Sequence, residues 1–190
     1  MKEQIYTIPV NTAFEKSRDD KSCGCPFCTM QETLQKNELD LITGASMMEP
    51  DIRIKTNEQG FCKKHYDMML LMKNRLGIAL MLESHLDEVK GRVKPKGLIR
   101  LVKGKGTVAC DKLEELENSC YVCGKIGFHL EKMFECAVYL WSTEEDFRKK
   151  TEAQPFFCLP HYRRFIECAK RDMQSKEFGD FYDMVSTTEN

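Results

Sequence analysis

Apolar positions along this chain recur at three- and four-residue intervals rather than in alternation. From Cys28 onward, Met30, Leu34, Leu39, Leu41 and Ile42 are separated by polar and charged residues, the pattern of a helix with one buried stripe. Gly44 and Pro50 punctuate that stretch. After Cys62 a longer stripe passes through Tyr66, Met69, Leu70, Ile78, Leu82, Leu86 and Val89, which predicts one helix reaching about Lys90, with Gly77 as a weak or closely packed point. Ile126, Leu130, Met133, Ala137 and Leu140 make a third stripe. Thr143 to Asp146 reads as a helix start, with acids where the first turn's unpaired N–H groups favour negative charge. Pro160 falls where a helix after Cys158 would begin, a position that tolerates proline. The fold class predicted is all-α. An apolar content of 42% with only 11 Gly and 6 Pro in 190 residues agrees with packed helices.

The cysteines reveal an internal repeat. Cys25-Pro26-Phe27-Cys28 is followed by Phe61-Cys62-Lys63-Lys64-His65-Tyr66, and Cys120-Tyr121-Val122-Cys123 by Phe157-Cys158-Leu159-Pro160-His161-Tyr162. The C-x2-C pairs are offset by 95 residues, and the F-C-x2-H-Y segments by 96. Duplication of one helical unit explains this register better than chance. The organisation it predicts is an N-terminal segment over 1–22, a first metal-binding repeat over 23–90, a basic linker over 91–110, a second repeat over 111–178 and a tail over 179–190 that is expected to fray, although Phe178, Phe181 and Tyr182 could dock it. Phe156 stands where the first copy has Gly60, so a tight turn shared by both copies is not expected.

Zinc takes four thiolate or imidazole ligands in a tetrahedron. Two cysteines separated by two residues can reach one ion from a tight turn, and a Cys and His at i and i+3 share a helix face. Cys25, Cys28, Cys62, His65, Cys120, Cys123, Cys158 and His161 are therefore the expected metal ligands, forming two Cys3His sites, each of which staples one unit. Zinc, as two ions, is the expected cofactor; an iron–sulfur cluster is the alternative for the same residues. Pairing within each copy is favoured, Cys25 and Cys28 with Cys62 and His65, because the shorter loop is cheaper to close. A swapped arrangement, with Cys158 and His161 completing the first site, stays open. The Cys25–Cys28 segment also has the form of a glutaredoxin-type dithiol, but the polar stretch before it lacks the buried strand that such a motif needs. Cys23 could exchange with Cys25, while Cys136 and Cys168 read as core residues. His85 and His129 have no counterpart in the other copy and read as structural, and Met68, Met69 and Met72 as helix packing.

Charge changes the picture little. With 29 Lys and Arg against 30 Asp and Glu, the net charge of −1 does not announce a nucleic-acid binder. The stretch from Lys90 to Gly106 has seven basic residues and no acid, and its Gly and Pro content reads as a solvated linker. No apolar run is long enough to span a bilayer and the N-terminus lacks signal-peptide character, so a cytoplasmic location is expected. No catalytic set is recognised. The function expected is a metal-stabilised scaffold or binding module for a protein or small-molecule partner; the alternative is a redox or metal-responsive sensor or oxidoreductase that uses the cysteine-rich sites.

The segments IYTIPVNTAF, CPFC, GFCKKHY, NRLGIALMLESHL, CYVC and FCLPHY together resemble an uncharacterised bacterial family of unknown function, some of whose members are labelled ABC-transporter substrate-binding protein. The resemblance spans nearly the whole chain. It implies a cytoplasmic protein without an assigned activity and lends no catalytic residues. The transporter label is not expected to apply, because no signal-peptide pattern or lipobox-like Cys is read after an apolar stretch.

Overall fold

The computed structural model describes residues 4–93 and 105–187; most of the basic stretch predicted as a linker lies outside them. Among the described residues there are ten α-helices and no strand. They are α1 (Thr7–Asp19), α2 (Pro26–Thr43), α3 (Pro50–Gln59), α4 (Lys63–Leu70), α5 (Arg75–Val93), α6 (Lys105–Glu117), α7 (Tyr121–Thr143), α8 (Glu145–Glu152), α9 (Leu159–Asp172) and α10 (Ser175–Thr187). The chain forms two compact units that are not its successive halves: Met1–Leu34 with Gly127–Asn190, and Gln35–Ile126. The division falls inside α2 and α7, so each of these helices gives residues to both units.

The first unit is built on phenylalanine. Phe14, Phe27, Phe134, Phe147, Phe157, Phe165 and Phe181 are all essentially inaccessible to solvent. Phe27 stacks on Phe134 at 4.0 Å and meets Phe165 edge-on at 5.0 Å, while Phe14 lies 4.7 Å from Phe147. Leu130, Met133, Ala137 and Leu140 of the predicted stripe face this core, and Ile126, which belongs to the second unit, is buried as well. Polar contacts fix the helices that carry these rings. Lys150 Nζ on α8 donates to Glu15 at 2.6 Å and Asn11 at 2.8 Å on α1, and Gln154 Nε2 donates to the Phe14 carbonyl at 2.9 Å. Arg148 lies 5.0 Å from the Trp141 ring and donates to the carbonyls of Trp141 and Ser142, satisfying acceptors that the end of α7 leaves open. The segment after Gly179, expected to fray, instead continues as helix through Thr187, because Phe181 and Val185 are buried and Phe181 meets Trp141 and Phe165 edge-on.

In the second unit α5 packs against α3, α4 and α6. The single helix predicted from Cys62 to about Lys90 is instead two, α4 and α5, with a break over residues 71–74. Asn74 explains the break. Its Oδ1 accepts from the Gly77 N–H at 3.0 Å and its Nδ2 donates to the Thr43 carbonyl at 2.7 Å, so the side chain caps α5 and ties it to the end of α2. Gly77 is a closely packed point: a Cβ there would run into Met47 and Asn74. Met69 is fully buried and Met72 Sδ accepts from the Thr43 hydroxyl at 3.5 Å, so these methionines serve packing.

Gly60 ends α3 at φ +59°, ψ −156°, a conformation that essentially only glycine adopts. Its missing side chain also makes room for the His85 ring, whose Nδ1 lies 2.8 Å from the Asn57 carbonyl. Gly60→Ala is expected to lower stability by about 1–3 kcal/mol from the backbone alone, with the ring collision added. Urea denaturation monitored by helical circular dichroism measures it. No residue other than glycine has positive φ among the described residues, so the chain before the second F-C-x2-H takes a different turn at Phe156, as its sequence requires.

Candidate metal centres

The eight predicted ligands gather into two groups of four. Cys25, Cys28, Cys158 and His161 form the first, within the first unit, and Cys62, His65, Cys120 and Cys123 form the second, within the second unit. In each group all four ligand atoms lie within 4.8 Å of one another. The pairing favoured from loop length, Cys25 and Cys28 with Cys62 and His65, is not the one found: each group joins the C-x2-C of one copy to the C-x2-H of the other.

Each pair is positioned in the same local way. Cys62 and Cys158 are the residues immediately before α4 and α9, with extended backbone (φ −70°, ψ 161° and φ −65°, ψ 146°). His65 and His161 then fall in the first helical turn, three residues on. Pro160 occupies the first turn of α9, as predicted. Cys25 and Cys120 stand just before α2 and α7, their carbonyls accepting from Thr29 at 3.3 Å and Gly124 at 3.0 Å, and Cys28 and Cys123 lie in those first turns. Each group is thus made where two helix N-termini meet. Their unpaired N–H groups and dipoles favour the negative charge that three thiolates bring. The second group is held in place by bonds to the end of α3: Tyr121 N–H donates to the Gly60 carbonyl at 3.0 Å, and the Ser119 hydroxyl to that of Gln59 at 2.6 Å.

The distances match the edges of a small tetrahedron. Around one zinc ion with ordinary bond lengths, sulfur atoms lie about 3.8 Å apart and sulfur and nitrogen about 3.5 Å apart. Cys28 and Cys158 sulfurs are 3.6 Å apart, and those of Cys62 and Cys123 are 3.8 Å apart. His161 Nδ1 lies 3.2, 3.4 and 3.8 Å from Cys158, Cys28 and Cys25. His65 Nδ1 lies 3.2, 3.3 and 3.5 Å from Cys120, Cys62 and Cys123.

The far nitrogen of each imidazole meets a glutamine. His161 Nε2 is 3.0 Å from Gln31 Oε1, and His65 Nε2 is 3.4 Å from Gln35 Oε1. With the Nε2 proton donated there, the lone pair of Nδ1 faces the sulfurs. Such an outer hydrogen bond fixes tautomer and ring orientation in metal-ligating histidines. Burial, aided by Arg164 beside His161 and Lys64 beside His65, pushes both histidines below their ordinary range and favours the neutral, ligating form. Burial pushes the Cys25, Cys28 and Cys123 thiols up, the last to about 12. At Cys62 burial acts in the same direction, but the backbone N–H of His65 and the neighbouring Cys120 and Cys123 thiols outweigh it and leave the thiol lowered. Metal ligands bind as thiolates, so a cation bound among the three sulfurs would offset their mutual repulsion and release thiol protons.

Gln31 and Gln35 were not legible as site residues. They sit four apart on α2, with nothing corresponding in the second copy, where Ile126 occupies the place of Gln31. The remaining cysteines and histidines stay outside both groups. Cys23 reaches toward Asp20 at 3.6 Å, Cys168 is core, Cys136 is half-buried, and Cys110 is exposed. His129 Nδ1 pairs with the Tyr6 hydroxyl at 2.7 Å.

Fold and site together define an all-helical protein with two Cys3His groups able to hold metal ions, each seated at a pair of helix N-termini. The chain belongs to a family of unknown function, DUF6062, whose model matches residues 1–190. No curated protein and no solved structure matches it. Among the described residues no helix is long and apolar enough to cross a membrane.

Proposed function

We propose that this protein is a two-zinc helical scaffold, a binding module for a protein or small-molecule partner whose shape depends on the ions. The observation that carries the reading is the tetrahedral spacing of Cys25, Cys28, Cys158 and His161, and of Cys62, His65, Cys120 and Cys123. The same spacing favours one ion per site over a multi-iron cluster, in which the ligands bind different irons and stand farther apart. Zinc suits three thiolates and an imidazole in a closed tetrahedron. Cysteines grouped with a histidine in metal-ligand geometry suit a reducing compartment, and the location proposed is the cytoplasm. Structural zinc supplies roughly 10–16 kcal/mol of apparent binding free energy in small domains, enough to decide whether units of this size hold their shape.

Elemental analysis together with a visible spectrum tests the proposal. The expected result is two zinc ions per chain, no visible absorbance, and a lower thermal midpoint after chelation. Protein that lacks zinc yet keeps its stability would overturn it. Gln31→Ala is expected to weaken the first site alone, by about 10–100-fold in metal affinity, because the histidine loses its orienting partner. Competition against a chromogenic chelator measures the change.

A further inference from the structure

The two groups differ in their access to solvent. In the first, Cys25 is 2% exposed, His161 is 7% exposed, and Cys28 and Cys158 are half-buried. The rings of Phe27 and Phe134 stand 6.0 and 5.9 Å from the His161 imidazole, part of the core that shields the group. In the second, only His65 is buried. Cys62 and Cys120 are half-buried and Cys123 is exposed. An open cleft of about 480 Å³ adjoins this group, with Cys62, Cys120 and Cys123 all on its wall beside Gln59, Glu117 and Gly124. A reagent in that cleft therefore meets three sulfurs at once.

Resting on the two-zinc reading, we infer that the second centre is an oxidant-sensitive, exchangeable metal site, and that the first is a permanent one. The class of reagent is a hydroperoxide. The Cys123 thiolate attacks the near peroxide oxygen; the O–O bond breaks, leaving a sulfenic acid on Cys123 and hydroxide or an alkoxide, which takes up a proton. The Cys62 thiolate, 3.8 Å away, then attacks the Cys123 sulfur. The S–S bond forms, the S–O bond breaks, and a second hydroxide leaves and is protonated. Two thiolates have lost two electrons in total, and the peroxide has gained them. A disulfide no longer offers two anionic ligands, so the ion, held only by Cys120 and His65, departs into the cleft. A dithiol reductant with added zinc reverses the sequence.

Zinc-loaded full-length protein is treated with hydrogen peroxide, and metal content and disulfide-linked peptides are followed by mass spectrometry. The expected result is a fall from two ions to one per chain, with Cys123 linked to Cys62, while Cys25, Cys28 and Cys158 remain thiols and the first ion stays. Reductant and zinc restore two ions. Cys123→Ser is expected to start with one ion and release none to the same dose, and Cys110→Ser, which alters an exposed cysteine outside both groups, to behave as wild type. Simultaneous release of both ions, release from the first site, or a Cys28–Cys158 disulfide would overturn the inference while leaving the two-zinc reading intact. Protein with no metal before peroxide is added would sink both.

Discussion

A double variant with Cys62→Ser and Cys123→Ser is expected to keep one tightly held zinc ion, whereas Cys28→Ser with Cys62→Ser keeps none. The first pair removes two ligands from one group; the second removes one ligand from each. Pairing within each sequence copy would give the reverse result, with zinc lost entirely in the first variant and one ion kept in the second. Zinc counted after dialysis against a competing chelator reads the difference directly, and because each variant loses two cysteines the comparison is balanced. The loss of one ion also removes a term on the order of 10 kcal/mol from its unit, so the two variants separate in thermal denaturation as well: one loosens a single unit and the other loosens both.

The second large effect is in the aromatic core. Phe27→Ala is expected to cost about 3–5 kcal/mol, the range for a fully buried phenylalanine. The residue lies between Cys25 and Cys28, so the cavity also removes the packing that holds this C-x2-C beside α9. Zinc affinity of the first group is expected to fall with stability, while the second group keeps its ion. Urea denaturation and metal counting on the same preparation test both parts. A loss of stability below about 1 kcal/mol, or an equal weakening of both sites, would contradict this account of the core.

That packing also explains why the shorter-loop pairing is not the one found. Cys28 and Cys158 are 130 residues apart, and Cys62 and Cys123 are 61 apart, against 34 for Cys28 to Cys62. Closing the longer loops costs only about 2 kcal/mol more for the two sites together, since the cost grows with the logarithm of length. Burying Phe27 against Phe134 and Phe165 recovers roughly 1.5–3 kcal/mol at a single residue. The sequence displayed the phenylalanines but not which of them would meet. The residues that gather into the two groups, the helical class and the helix starts at Pro160 and after Thr143 were legible because their signals are local. The break at Asn74 was hidden because an apolar stripe reads through a four-residue interruption. The glutamines were hidden because a hydrogen bond between α2 and a distant histidine has no spacing signature. The partition into units was hidden because it follows which helices pack together rather than where the duplication begins.

The crossed arrangement also sets an order of assembly during translation. Cys25 and Cys28 emerge about 130 residues ahead of Cys158. At about 5–20 residues per second, that is a delay of several to some tens of seconds in which the earliest thiols have no companion imidazole from their own group. The second centre, whose last ligand is Cys123, can close while α9 is still being made. On the two-zinc proposal, synthesis therefore completes the more exposed site before the sheltered one, and a nascent chain stalled between these points is expected to carry one full ligand set and one pair of waiting thiols.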